Sequence, residues 1–232
     1  MQRPIRILAS KELQCGVGVP IIFLHGFLGS SDDWSDVCLR LKGRRCIGVD
    51  LPGHGESPFT ERFNEDLFSV APLFHLVGYS MGGRLAMGFA AEYPEKIASL
   101  MLIGAHFGLR LEERAERLKR DEKWARILLE KRIDEFLRQW YDQPIFNTLD
   151  RDRMYKMRQK QDRFALAKSL VYYSLGRQPL YEPCGTFMVG ERDQKFCDLY
   201  KDLSPIIIPN AGHAVHLEQP EIVAKFIQRN TQ

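Results

Sequence analysis

The chain has 232 residues, 44% hydrophobic and 27% charged, enough for one globular domain with a sizeable core. A net charge of +3, with no basic tail and no zinc-ligand spacing, argues against nucleic acid as a partner. The five cysteines (Cys15, Cys38, Cys46, Cys184, Cys197) are scattered and read as reduced thiols. With no signal-peptide core in residues 1–6 and no window near the ~18 apolar residues of a membrane span, a soluble, cytoplasmic protein is expected.

In chain order, residues 5–8 form a weak edge-strand candidate. Residues 20–25 make a stronger strand that ends in the turn His25-Gly26-Phe27. A short helix is expected over 34–41 and another strand over 46–50. That strand runs into Leu51-Pro52-Gly53-His54-Gly55, where Pro and Gly dictate a loop. The apolar run 74–77, a glycine-rich turn and a helical stretch over 84–91 follow, then a buried strand over 98–103. From 107 to 178 the texture changes. Leu111, Ala115 and Leu118, then Ile127 and Leu128, then Ile133, Phe136, Leu137 and Trp140 recur at helical spacing, broken at Gln143-Pro144. This stretch holds 18 Lys+Arg against 12 Asp+Glu, so the basic charge of the chain is concentrated in it. Strand character returns at 186–190 and 205–209, and a last helix runs from 218 or 220 to 228. No internal repeat or low-complexity stretch interrupts the pattern. Strands alternating with helices predict a doubly wound, mostly parallel α/β sheet, with residues 1–106 and 179–232 as the core and 107–178 as a helical cap. The sites of such sheets lie at the carboxyl ends of the strands.

Ser80 sits at one such end. Gly78-Tyr79-Ser80-Met81-Gly82 matches G-x-S-x-G, and an apolar strand before it with a helix after it is the setting of a nucleophile elbow. The serine needs a histidine to take its proton, and the histidine a carboxylate to hold its tautomer. Asp193 follows the penultimate strand, and His213 follows the last one behind Ala211 and Gly212, which gives the order Ser, Asp, His. His213 is preferred to His216, which begins the final helical segment, and Asp193 to Glu191, which lies closer to its strand. An oxyanion hole needs two backbone N–H groups; Met81, at a helix N-terminus, and Phe27, in the turn after an early strand, are the candidates.

The elbow, His25-Gly26-Phe27, the loop from Asp50 to Gly55, Asp193 and His213 together resemble the α/β-hydrolase superfamily over nearly the whole chain. Narrower motifs resemble the 2-succinyl-6-hydroxy-2,4-cyclohexadiene-1-carboxylate synthase family. They are residues 24–29 with Asp33-Trp34, 77–84, Gly108-Leu109 with 114–117, 121–124, the run Trp140-Tyr141-Asp142-Gln143-Pro144-Ile145-Phe146, and 190–196. The resemblance implies a lyase of menaquinone biosynthesis that removes a proton α to a succinyl ketone and releases pyruvate, with Ser80, His213 and Asp193 serving as base. It also implies that Arg84, Arg117 and Arg158 bind the carboxylates of a small polycarboxylate substrate, that Tyr79 and Trp140 line the pocket, and that no cofactor or metal takes part. One departure is the short span from 58 to 74, where the family has a full helix and this chain has room for a turn or two. Two other readings remain open: a serine esterase or carbon–carbon bond hydrolase with Ser80 as covalent nucleophile, and a non-enzymatic ligand receptor on the same fold.

Overall fold

The structure, a computed structural model, describes residues 8–231. The strand expected over 5–8 therefore lies outside the described residues except for Leu8, which is buried. The core begins with β1 (Ser10–Gln14), β2 (Val17–Leu24), α1 (Ser35–Cys38), β3 (Arg44–Val49), α2 (Phe63–Phe68), β4 (Phe74–Tyr79), α3 (Met81–Glu92) and β5 (Ile97–Ile103). The helices α4 (Leu111–Glu130), α5 (Ile133–Tyr141), α6 (Arg151–Arg158) and α7 (Arg163–Tyr172) come next. The chain then returns to the sheet with β6 (Thr186–Gly190), α8 (Gln194–Tyr200), β7 (Ile206–Ile208), α9 (Val215–Glu218) and α10 (Pro220–Asn230).

Among the described residues, seven strands form one sheet in the order β1-β3-β2-β4-β5-β6-β7. Neighbours run parallel except β1, which is antiparallel to β3. Side chains alternate across the central strands, as a pleated backbone requires. Ile21 and Phe23 of β2 point into a core shared with Val37 of α1 and Val223 and Ile227 of α10. Ile22 and Leu24 point the other way, against Leu67 of α2, Met87 and Phe89 of α3 and Tyr200 of α8. Both faces of the sheet are thus covered, which explains why the central strands read as continuous apolar runs. β1 left no such signal. It is an edge strand with a polar sequence, SKELQ, and its residues are exposed or half-buried. Within the short span 58–74, α2 is six residues long and contributes Phe63 and Leu67 to the core.

Helices α4 to α7 depart from one expectation. Leu111 is 78% exposed and Ala115 is also exposed, so the apolar spacing at the start of α4 does not mark its inner face. The buried positions of α4 are Asp121, Ala125 and Leu128. Packing of α4 against α7 selects the face one turn further along, and Arg117 and Asp121 are carried inward with it.

Close packing of β4 on α3 requires the glycines of the elbow. A Cβ on Gly82 would lie 2.4 Å from the His25 carbonyl oxygen, and one on Gly78 would lie 2.6 Å from Gly83 Cα. Both obstacles are backbone. Gly82→Ala is therefore expected to cost about 1–3 kcal/mol, the usual range for overpacking. For a domain of this size that lowers Tm by roughly 2–4 °C per kcal/mol. A thermal melt at wild-type Tm would show that the elbow relaxes freely.

Candidate active site

Strand β4 delivers Ser80 to the edge of the sheet in a conformation that side chains rarely adopt, φ 49° and ψ −109°. Its amide is held by the Ile103 carbonyl at 2.8 Å, so the neighbouring strand fixes the turn. Strain of this kind persists only where surrounding structure over-determines it. It projects the Ser80 side chain away from both strand and helix. β6 and β7 end beside it. Asp193 and His213 are both buried, and His213 Nδ1 lies 2.6 Å from Asp193 Oδ2. Its Nε2 faces Ser80 Oγ at 3.3 Å. With Nδ1–H donating to the carboxylate, Nε2 is free to accept from the serine hydroxyl. Glu191 takes no part in this chain of bonds. It is exposed, and its carboxylate accepts from the Asn210 amide at 2.9 Å.

The turn at Gly26-Phe27 passes directly beside the serine, since a Cβ on Gly26 would sit 2.7 Å from the Tyr79 ring and 3.4 Å from Ser80 Cβ. His25 anchors that turn. The Leu51 N–H donates to its Nε2 at 2.9 Å, which places the ring proton on Nδ1, where it donates to the Gly26 carbonyl at 2.7 Å. Burial lowers the pKa of His25, which keeps the imidazole in the neutral form this bridge requires. The amides of Phe27 and Met81 thus belong to the two backbone segments that flank Ser80.

Two chambers meet at the serine. The outer one, about 280 Å³, is lined by Ser80, His213, Trp140, Arg84 and Arg117. Two further cations, Arg120 and Lys195, line it as well, and among the described residues its only lining carboxylate is Asp121. Arg84 is half-buried and bonds only to neutral acceptors, Gln178 Oε1 at 3.0 Å and the Tyr173 carbonyl at 2.9 Å. Burial, reinforced by the charge of Arg117 and opposed by that of Asp121, pulls its pKa down to about 9, so it remains cationic at neutral pH without a direct ion pair. Arg117 donates from Nε to both oxygens of Asp121 at 2.9 Å, and Ser174 also donates to that carboxylate. His106, lowered to about 4 by burial and then by Lys195, is neutral at pH 7. Positive charge dominates the chamber, and the composition of 107–178 anticipated only its cap share.

The inner chamber, about 50 Å³, lies against Ser80 between Phe27, Tyr79, Trp140 and Arg158. Arg158 is buried and donates through Nη1 and Nη2 to the two oxygens of Asp33, at 2.6 and 2.7 Å. Burial works against its charge, but Asp33 and Tyr141 raise its pKa above the ordinary value. Its charge is thus already met, unlike that of Arg84. Trp140 belongs to both chambers and packs on Phe27 with ring centroids 5.0 Å apart. His216 is fully buried, stacked on Trp34 at 4.4 Å and against Tyr79 at 4.5 Å. Its place is behind the serine's neighbour and not at the serine. Among the described residues, no group of three or more His, Cys, Asp or Glu side chains is placed to hold a metal ion.

A doubly wound sheet with a serine elbow, a histidine and a buried aspartate at successive strand ends defines the class. The chain belongs to the alpha/beta hydrolase family, whose model matches residues 21–226. Within that family its similarity is to the 2-succinyl-6-hydroxy-2,4-cyclohexadiene-1-carboxylate synthases. It is 34% identical over 242 residues to the synthase of Enterobacter sp. (strain 638), covering 94% of each chain. To the synthase of Escherichia coli O1:K1 / APEC it is 35% identical over 236 residues, 91% of this chain and 94% of the relative. Among solved structures, MenH from S. aureus superposes with a TM-score of 0.87 at 24% identity, covering 97% and 98% of the two chains. A thermophilic esterase from Thermogutta terrifontis superposes with a TM-score of 0.76 at 21% identity, covering 97% and 94%. These two likenesses concern the fold. No helix among the described residues is long and apolar enough to cross a membrane.

Proposed function

We propose that this chain is the lyase that eliminates pyruvate from 2-succinyl-5-enolpyruvyl-6-hydroxy-3-cyclohexene-1-carboxylate. The product is 2-succinyl-6-hydroxy-2,4-cyclohexadiene-1-carboxylate, in menaquinone biosynthesis. The relatives carry that synthase name over nearly their whole length. The observation that carries the reading is the placement of a Ser80–His213–Asp193 relay in a chamber walled by Arg84, Arg117, Arg120 and Lys195. An ester of a neutral acid gains nothing from such walls. A substrate with carboxylates on its ring, its succinyl chain and its enolpyruvyl arm gains attraction and orientation. Residues 107–178 serve as the cap, which supplies Arg117 and Arg120, and 1–106 with 179–232 as the core, which supplies the relay together with Arg84 and Lys195. The enzyme works in the cytoplasm.

In this reading Ser80 Oγ takes the proton from the ring carbon that bears the succinyl ketone, while its own proton passes to His213 Nε2. The electrons of the broken C–H bond flow into the ring, its double bond shifts, and the bond to the enolpyruvyl oxygen breaks. The departing enolate is protonated at its methylene carbon and becomes pyruvate. Ser80 has regained its hydroxyl proton from the ring carbon, so the proton on His213 passes to the departing enolate through solvent and the relay is restored, with Asp193 stabilising the imidazolium in between. The amides of Phe27 and Met81 hold the ketone oxygen as it gains enolate charge. Arg84 and Arg117 grip carboxylates, Tyr79 and Trp140 shape the wall, and Arg158, already paired with Asp33, borders the inner end of the substrate.

Elimination and hydrolysis differ in one observable. In the elimination Ser80 is never acylated. Intact-protein mass spectrometry of samples quenched during turnover is expected to show only the unmodified mass, and pyruvate is expected in one phase without a burst. A substrate-derived mass on Ser80 would favour covalent catalysis of the esterase kind. Absence of pyruvate would sink the lyase reading itself.

A further inference from the structure

The outer chamber has cations at two depths. Arg84 lies on α3, close to Ser80, and Arg117 on α4. Arg120, one turn beyond Arg117, and Lys195, in the first turn of α8 just after Asp193, are exposed side chains at its mouth. They come from the cap and from the core. Neither forms an ion pair with any carboxylate among the described residues. Asp121 is taken by Arg117 and Ser174, and the contact of the Lys195 ammonium is the face of Phe196, 5.2 Å away. Desolvation, followed by the charge of Arg117, lowers the pKa of both Arg120 and Lys195. The charge of Arg117 lowers the pKa of Arg84 as well. Four cations gathered around one lining carboxylate oppose one another, and an arriving anion relieves that repulsion.

We propose that Arg120 and Lys195 form a second carboxylate subsite. It holds the end of the substrate remote from Arg84 and makes the enzyme selective for polyanions over monoanions. The assignment rests on the lyase reading for the identity of the substrate, but the subsite itself needs only an anion with well-separated carboxylates. One carboxylate meets the deep guanidinium, while another bridges cap and core at the mouth. Arg120 and Lys195 are positioning residues here, because they touch the substrate far from the breaking bonds.

The test uses citrate and acetate as probes, titrated calorimetrically into the wild type, Arg120→Gln, Lys195→Gln and the double variant. Lys119→Gln, an exposed cation that does not line the chamber, is the control. Wild type is expected to bind citrate more tightly than acetate. Each mouth substitution should weaken citrate binding by about threefold to tenfold, the range for a charge contact partly screened by water. Acetate should be little affected, and Arg120→Lys and Lys195→Arg should restore most of the loss. In turnover, the loss should fall on KM more than on kcat. Citrate binding that is equal in all variants, or weakened as much by Lys119→Gln, would overturn the subsite. The two readings fail separately. A wild type that releases no pyruvate but binds citrate through Arg120 and Lys195 rejects the lyase and keeps the subsite. Normal pyruvate release with KM unmoved in the double variant rejects the subsite and keeps the lyase.

Discussion

Replacing Ser80 or His213 by alanine is expected to lower kcat by about 10²–10⁴-fold, the usual worth of a positioned acid–base group. The reason is geometric. Ser80 Oγ has His213 Nε2 at 3.3 Å as its proton acceptor, and His213 keeps the right tautomer because Nδ1 is committed to Asp193 at 2.6 Å. Asp193→Asn is expected to cost a comparable factor. An amide in that place can donate its NH2 to Nδ1, which leaves the ring proton on Nε2, so the nitrogen facing the serine donates and can no longer accept its proton. Because the three side chains form one relay, the Ser80→Ala/His213→Ala double variant should be little slower than the worse single variant. Steady-state rates of pyruvate release measure this directly. Losses that multiply would mean that the residues act independently and that one of the assignments is wrong. Melting curves of the same variants should stay near wild type for Ser80→Ala, which removes one oxygen from a chamber wall.

The second large effect belongs to Arg84. Its guanidinium is held by Gln178 and the Tyr173 carbonyl, both neutral, so its positive charge is unspent in the free protein. A carboxylate that reaches it gains a charge-assisted, potentially bidentate contact in a desolvated place. Arg84→Ala is therefore expected to lose about 2–5 kcal/mol of transition-state stabilisation, the range for a buried charge contact. That corresponds to a fall in kcat/KM of roughly 30-fold to several thousand-fold. Arg84→Lys should recover only part, since a point charge cannot reproduce the planar fork. Arg117→Ala should behave differently. It removes a chamber cation but also leaves the buried Asp121 carboxylate without its ion pair, so its Tm should fall together with its activity. An Arg84→Ala enzyme with wild-type kcat/KM would mean that the substrate carboxylates bind elsewhere.

Much of this protein was legible in its sequence because the signals are local. Apolar runs mark the strands buried on both faces, and Gly78, Ser80 and Gly82 mark a turn whose backbone has no room for side chains. Asp193 and His213 could be placed because each follows directly on a strand, and strand ends in a parallel sheet point to one edge. β1 was not legible: an edge strand buries little and its sequence carries no alternation. The inward face of α4 was not legible either, because both Leu111 and Arg117 fit a helix, and only the packing of α4 on α7 decides which is covered. The same holds for charge. The sequence concentrates cations in residues 107–178, but it does not say which are solvated, which are neutralised and which are left facing the serine. Arg158 meets Asp33 from 125 residues away, while Arg84 finds only neutral acceptors. Lys195 stands two positions after Asp193 and yet joins the wall that Arg120 brings from the cap. Such pairings depend on which distant segments share a low-dielectric space, and tertiary structure alone decides that.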